Sequence, residues 1–437
     1  MDWSSVCVHR AVRYSNYRTS NDYFVEPVFV SVVTNRRNRR RLWRSFFEGG
    51  VDDDIFNASS SMMRSELAAS SSTAKEKTLR AAVCRTFGHP LTIEDITISD
   101  PSDGEVKVKL AACAICHSDI MLADGHWGGD LPAIYGHEAS GIVESLGPGV
   151  HDVAVGDRVV VTLIRSCGQC HYCAHAIETQ CDASFPLDER SPLSDHNGAV
   201  VTQGLNAGAF AESVVVEQSQ VCRIPDDIPL EVASILGCGV LTGFGAVTNT
   251  VDVRPGSIVA VMGCGGVGIN SIQAAAYRGA SRVIAIDVLD EKLEQALRFG
   301  ATHTLNSSSP TFVDDVLGLS GGRGADYVFV TVGAKSAIEQ SLEILGRAGT
   351  TVIVGMPASE VLAEYDPGDL ASKGQSVVGS KMGSSSVSRD IPQLVALYQQ
   401  GSLKLDELVS QRFPLEDINE AIASVKRGEA LRNLVVF

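Results

Sequence analysis

No stretch of the 437 residues approaches the roughly 18 consecutive apolar positions that a membrane-spanning helix needs, so an integral membrane protein is excluded. Basic residues are also in short supply. Thirty-six Lys and Arg face 52 Asp and Glu, a net charge of −16. A duplex-binding protein needs a basic face, so nucleic acid is not an expected partner. The hydrophobic run of a secretory signal is missing as well. With 44% hydrophobic and 20% charged residues, the chain is neither disordered overall nor collagen-like, and its length suits two or three domains.

The charge is unevenly spread. Residues 1–64 hold ten Arg, no Lys and seven acids, or +3, which leaves −19 for the rest. This segment carries the cluster Arg36, Arg37, Arg39, Arg40, Arg41 and Arg44, then the run Asp52, Asp53, Asp54, and it has no helical or strand periodicity. Transit peptides are Arg-rich but avoid acids. The expectation is therefore a disordered or wrongly included extension over 1–77, with Met62 or Met63 as alternative starts and a Ser/Ala linker over 58–74. A cytoplasmic location follows, with organelle import through the extension as the alternative.

Eleven cysteines, an odd and clustered set without a signal peptide, do not form a disulfide framework. Cys167, Cys170, Cys173 and Cys181 follow C-x2-C-x2-C-x7-C. Short spacings let one loop wrap four thiolates around a tetrahedral Zn²⁺, and a site filled by four protein ligands leaves no room for substrate. An iron–sulfur cluster is the rival reading, although no Pro follows the last Cys.

A second set is more open. Cys116 lies in Cys116-His117-Ser118-Asp119, after a strand-like run over 106–112. Gly136-His137-Glu138 continues as G-H-E-x2-G-x5-G-x2-V, and Cys238 lies far downstream between glycines. Cys116, His137 and Cys238 would give zinc three protein ligands and one free position, as catalytic sites require. Each piece alone is weak, since a lone Cys is more often a small core residue. Asp119 is suited to take the second imidazole N–H of His137.

The third pattern is a dinucleotide fingerprint. A buried strand over 257–262 runs into Gly263-Cys264-Gly265-Gly266-Val267-Gly268, a helix follows over 269–278, and a strand over 282–286 ends at Asp287. Strand, glycines, helix, strand and acid in this order are a strong signature. The glycines let backbone N–H groups reach a pyrophosphate. Asp287 can hold ribose hydroxyls and repels a 2′-phosphate, which favours NAD over NADP. Helices over 291–299 and 334–345 alternate with strands over 326–332 and 350–355, as in a parallel doubly wound sheet. By contrast, 79–224 is rich in short Val-heavy strands, and a last strand over 433–437 returns to that part.

From about residue 78 to the end, the sequence resembles the zinc-containing alcohol dehydrogenases of the medium-chain dehydrogenase/reductase family. The extended G-H-E motif and the four-Cys lobe carry the resemblance. It implies an α/β plus β fold, with a GroES-like catalytic domain over 78–239 and 383–437 and a Rossmann domain over 240–382. It implies catalytic zinc on Cys116, His137 and Cys238, with Glu138 as a possible further ligand. Structural zinc would sit on Cys167, Cys170, Cys173 and Cys181, making two ions per subunit. For the coenzyme it implies His117 and Arg432 at the pyrophosphate, Thr242, Val354 and Met356 toward the nicotinamide, and Asp287 and Lys292 at the ribose, beside Gly263, Gly265, Gly266, Val267 and Gly268. The strand over 350–355 is expected to pair across a subunit interface, in a homodimer or homotetramer.

The implied reaction is reversible oxidation of a primary alcohol to an aldehyde by NAD, with Ser118 accepting the hydroxyl proton. Family members pass that proton to a His five residues after the first ligand Cys. Here that position is Met121, which cannot relay it. Trp127 and Leu163 are expected to line the pocket, which suits medium-chain or aromatic alcohols. The alternative substrate is S-(hydroxymethyl)glutathione, but the glutathione-contacting Asp of that branch has no counterpart in His126-Trp127-Gly128-Gly129. Two other classes are a non-enzymatic zinc and nucleotide scaffold, and a zinc-free reductase of the same fold. The intact ligand set disfavours both.

Overall fold

The computed structural model describes residues 77–437; the Arg-rich extension and the 58–74 linker lie outside the described residues. The hub of the β-rich part is the ten-residue strand Glu105–Ala114. It pairs antiparallel with Glu138–Leu146, with Ser213–Glu217 and with the C-terminal strand Arg432–Val436. β-Branched residues favour such paired positions, and Val106, Val108, Val214, Val215 and Val216 are fully buried there. A smaller sheet joins Lys77–Val83, Thr92–Ile98, Leu193–Ser194, Val200–Gln203 and Ala133–Ile134.

The second part is a six-stranded parallel sheet. Its spatial order is His303–Asn306, Arg282–Asp287, Ile258–Met262, Ala325–Val330, Leu345–Ile353, Ser376–Gly379. In sequence terms this is 3-2-1-4-5-6, and the order reverses between Ile258–Met262 and Ala325–Val330. Ligands of doubly wound sheets bind beyond the carboxyl ends of the strands at that reversal, and Gly263 stands there. The helix Gly266–Tyr277 starts three residues before the expected 269, because glycines give no apolar periodicity from which to read a helix start. Glycine is required at its opening. A Cβ on Gly268 would lie 1.7 Å from the Gly263 carbonyl oxygen.

Two expectations need correction. The helix expected over 334–345 spans Lys335–Glu343, and the next strand already begins at Leu345. That strand pairs irregularly: its register shifts between Ala325 and Tyr327, and Ala348 takes a left-handed φ of 57°. An irregular strand start carries no alternating pattern. The strand over 350–355 also cannot pair with another subunit through its backbone, because it is flanked by Ala325–Val330 on one side and Ser376–Gly379 on the other. The two edge strands of the sheet are His303–Asn306 and Ser376–Gly379.

The two parts share a seam. One buried cluster runs from Ala114 and Cys116 through Cys238 and Leu241 to Val259 and Val261. The C-terminal strand delivers Arg432, only 5% exposed, to the same place.

Candidate active site and zinc centres

Three elements of the β-rich part converge on the seam. Cys116 caps the helix His117–Ala123 just past the hub strand, and His137 immediately precedes the strand Glu138–Leu146. Cys238 sits between the turn Ile235–Gly237 and the helix Gly239–Gly245. Only glycine fits before His137. Gly136 has φ 92°, and a Cβ there would lie 2.7 Å from the Phe210 backbone nitrogen. The ligand atoms of Cys116, His137, Glu138 and Cys238 all lie within 4.8 Å of one another, and none of these residues is more than 5% exposed.

Asp119 organises this group. Its carboxylate accepts from Cys116 N at 3.0 Å and Gly136 N at 2.8 Å, and lies 2.9 Å from His137 Nδ1. The bond at Nδ1 turns Nε2 toward the cysteines, where it is buried without a hydrogen-bond partner. A buried nitrogen left bare costs about 1–3 kcal/mol. Two thiols beside it form a donor set that suits zinc, so the residues fit the ion that the motifs imply. A hydrogen bond from Cys238 holds the Cys116 thiol well below its ordinary pKa against the effect of burial, and His137 and Arg432 add to this. Glu138 accepts from Gly239 N at 2.9 Å and lies 3.5 Å from Arg432 Nη1. Burial pushes its carboxyl up to about 7, with Arg432 opposing.

Cys167, Cys170, Cys173 and Cys181 form the second group, also within 4.8 Å of one another but only half-buried. Their own loop supplies N–H···S bonds, from Cys170 N to Cys167 at 3.2 Å, Cys173 N to Cys170 at 3.4 Å, and Cys167 N to Cys181 at 3.4 Å. The Gln169 and Cys170 amides pull the Cys167 thiol down to about 7. Ser386 donates to Glu178 of this lobe at 2.7 Å, tying it to the segment after the parallel sheet.

On the coenzyme side, Asp287 accepts from Cys264 N at 2.7 Å and from Val288 N and Leu289 N at 2.8 and 3.1 Å. The acid therefore also ties the Gly-rich turn to the strand end. The Arg432 guanidinium lies where a Cβ on Gly239 or Gly266 would be, so glycine at both positions makes room for it. Its Nε and Nη2 are buried without hydrogen-bond partners, as an anion-binding group requires. Thr242 is buried in the helix after Cys238, and Val354 is 8% exposed, whereas Met356 is 64% exposed. Lys292 is half-buried and His117 is exposed on the first turn of its helix.

Ser118 is half-buried next to His117. Leu163 lines a cavity of about 210 Å³ together with Ile164, Phe185, Asn206 and Lys381. Trp127 does not line it; its indole N–H instead donates to the Pro357 carbonyl at 2.9 Å. Sequence reasoning missed Met382, whose sulfur lies 3.8 Å from Cys238 Sγ and 3.5 Å from Thr242 Oγ1. It missed Lys381 and Phe185 too. No spacing or motif marks any of them, since only the fold brings them to the seam.

Comparison with known proteins agrees with this geometry. Residues 102–226 match the family described as alcohol dehydrogenase GroES-like domain, and 266–400 match zinc-binding dehydrogenase. The NDMA-dependent alcohol dehydrogenase of Amycolatopsis methanolica is 36% identical over 365 residues, covering 82% of this chain and 98% of that protein. Alcohol dehydrogenase class-3 of Caenorhabditis elegans is 34% identical over 374 residues, covering 82% and 96%. The crystal structure of benzyl alcohol dehydrogenase from Acinetobacter calcoaceticus is similar with a TM-score of 0.77 at 32% identity, over 83% of this chain and 99% of that one. The chain belongs to the zinc-containing alcohol dehydrogenases of the medium-chain dehydrogenase/reductase family.

Proposed function

We propose that the protein oxidises primary alcohols, medium-chain or aromatic, reversibly to aldehydes with NAD. The observation that carries this reading is His137 Nε2, buried and bare, facing Cys116 and Cys238 while Asp119 holds the other ring nitrogen. When bound at Cys116, His137 and Cys238, zinc supplies a Lewis acid that makes an alcohol hydroxyl acidic near neutral pH, and NAD supplies the hydride acceptor.

The chain's own groups do the rest. Ser118 Oγ takes the hydroxyl proton, and because Met121 cannot pass it on, the proton leaves along the coenzyme side rather than through the helix. Glu138 is held back by Gly239 N and Arg432, so it is a reserve donor. Arg432 and the Gly263–Gly268 turn hold the pyrophosphate, Asp287 and Lys292 the ribose, and Thr242 with Val354 the nicotinamide end. The four-Cys lobe holds a second, structural zinc. Of the two edge strands, Ser376–Gly379, with Val377 43% exposed, supports a homo-oligomer joined through it. The benzyl alcohol dehydrogenase likeness supports an aromatic guest.

Metal analysis together with an activity screen tests the whole reading. Two zincs per subunit with alcohol-dependent NADH formation are expected. A zinc-free protein that reduces quinones or enones would overturn it.

A further inference from the structure

Resting on the alcohol dehydrogenase reading, and taking the cavity lined by Leu163 as its substrate site, we propose that Lys381 serves that cavity as a cation. The preferred alcohols would then carry an anionic group, such as a carboxylate, at the end remote from the hydroxyl. The cavity is bracketed by two segments that reach the metal-ligand cluster. Leu163 packs against the buried core that contains Cys116 and Cys238. Lys381, which also lines the cavity, immediately precedes Met382, whose sulfur lies 3.8 Å from Cys238 Sγ. The backbone on the other side of Lys381 is pinned as well, because Ser380 Oγ lies 2.8 Å from Thr250 Oγ1. The chain is fixed at this point, while Lys381 itself is exposed and lines the cavity.

The charges around the cavity single this lysine out. Arg165 also lines it, but its guanidinium donates to Asp188 at 2.6 Å, to Gln220 at 2.7 Å, to Gln203 at 3.2 Å and to the Asn206 carbonyl at 3.1 Å. Asp188 is consumed by the same pair and by Phe185 N. Among the described residues no carboxylate pairs with Lys381. Leu163, Ile164 and Phe185 give an apolar wall, and among the described residues Lys381 is the lining cation without a carboxylate partner, in a chain whose net charge is −16. A guest with an apolar body and an anionic tail matches that arrangement, and the ammonium raises its local concentration. The competing role is local. Cys181 also lines the cavity, so Lys381 could instead balance the thiolates of the lobe.

The test compares 4-(hydroxymethyl)benzoate with its neutral isostere 4-(hydroxymethyl)benzamide, using NAD, on wild type, Lys381→Met and Lys381→Arg. Wild type should favour the benzoate in kcat/KM by about fivefold, the upper range for an exposed ion pair. That ratio should fall toward one in Lys381→Met and persist in Lys381→Arg. Added salt should narrow it in wild type and leave Lys381→Met unmoved. A benzoate-to-amide ratio unchanged by Lys381→Met overturns the proposal alone. So does a fall in melting temperature or zinc content in Lys381→Met without a change in that ratio, the mark of a lysine that serves the lobe. Turnover of neither alcohol, with other primary alcohols oxidised, takes down the assignment of the cavity along with it.

Discussion

The two cysteine clusters gather similar donors in opposite surroundings. The lobe draws Cys167, Cys170, Cys173 and Cys181 from one loop, half-buried, with N–H···S bonds supplied by that loop. The seam cluster draws Cys116, His137 and Cys238 from three elements, nearly all buried; Asp119 of the fold holds the Cys116 backbone and the His137 ring, and Gly239 N and Arg432 hold the adjoining Glu138. A local cluster has little but the metal to make it compact, so its ion contributes folding free energy. A cluster held by the fold keeps its shape without the ion and can leave a coordination position for substrate. The same ligand chemistry thus serves stability in one place and reaction in the other.

The sharpest way to break this comparison is to remove a seam ligand. Cys116→Ala or His137→Ala removes several kcal/mol of Lewis-acid stabilisation, so turnover should fall by roughly three orders of magnitude or more. Coenzyme binding, measured by NADH fluorescence, should survive because it rests on the Gly-rich turn, Asp287 and Arg432, which the substitution leaves in place. Cys116→Ala with wild-type activity and two zincs per subunit shows that the seam is not the catalytic centre.

The lobe should respond the other way. Cys170→Ser should lower the melting temperature and the zinc content by one ion, and activity should drop only as far as folded protein is lost. A chelator should take this half-exposed ion before the buried one. If Cys170→Ser melts like wild type and keeps both zincs, the lobe is not a structural site. A kcat loss in fully folded Cys170→Ser would instead trace to the Glu178–Ser386 contact, which links the lobe to the segment carrying Met382.

A smaller effect is expected at Asp287. Its carboxylate holds three backbone amides around the Gly-rich turn, so Asp287→Gly would loosen that turn as well as unlink the ribose. Asp287→Asn keeps the size and removes the charge. Hydrogen bonds to charged groups are worth about 1.5–3 kcal/mol, and losing the charge-assisted part should raise the KM for NAD about tenfold. NADP use should fall less or improve, because the like charge that meets a 2′-phosphate has gone. Kinetics with both coenzymes decide the matter, and an unchanged NAD/NADP ratio removes Asp287 from the ribose.

The same contrast explains what was legible in the sequence. The lobe could be read from spacing alone because its geometry is local. The turn from Gly263 to Asp287 could be read because strand, glycines and acid follow one another along the chain. The seam needed three weak fragments to be combined, and the resemblance did that. Met382, Lys381 and Phe185 stayed invisible because they enter the seam only after the last strand of the sheet and the lobe fold back against it. The strand expected at the subunit interface lies one strand inside the Ser376–Gly379 edge for a related reason: the chain shows that strands exist but not which of them lies outermost.

The smallest expected effect concerns Trp127, which was expected to be part of the pocket wall. The structure gives it a further part, because its N–H reaches the Pro357 carbonyl at 2.9 Å while Ser359 N lies 3.4 Å from the His126 carbonyl. These two bonds join a loop of the β-rich part to the segment that follows Leu345–Ile353, so they bridge the two halves of the molecule. Trp127→Phe keeps most of the aromatic bulk and removes one hydrogen bond worth about 0.5–1.5 kcal/mol. The two halves should then part more readily. We expect a two- to tenfold faster release of NADH in stopped-flow measurements, with kcat rising where release limits turnover. A pocket-wall residue would behave differently: the ratio of kcat/KM between a bulky and a small alcohol would shift while the release rate held. That outcome would assign Trp127 to the substrate and leave the bridge between the halves to Ser359 and the buried seam.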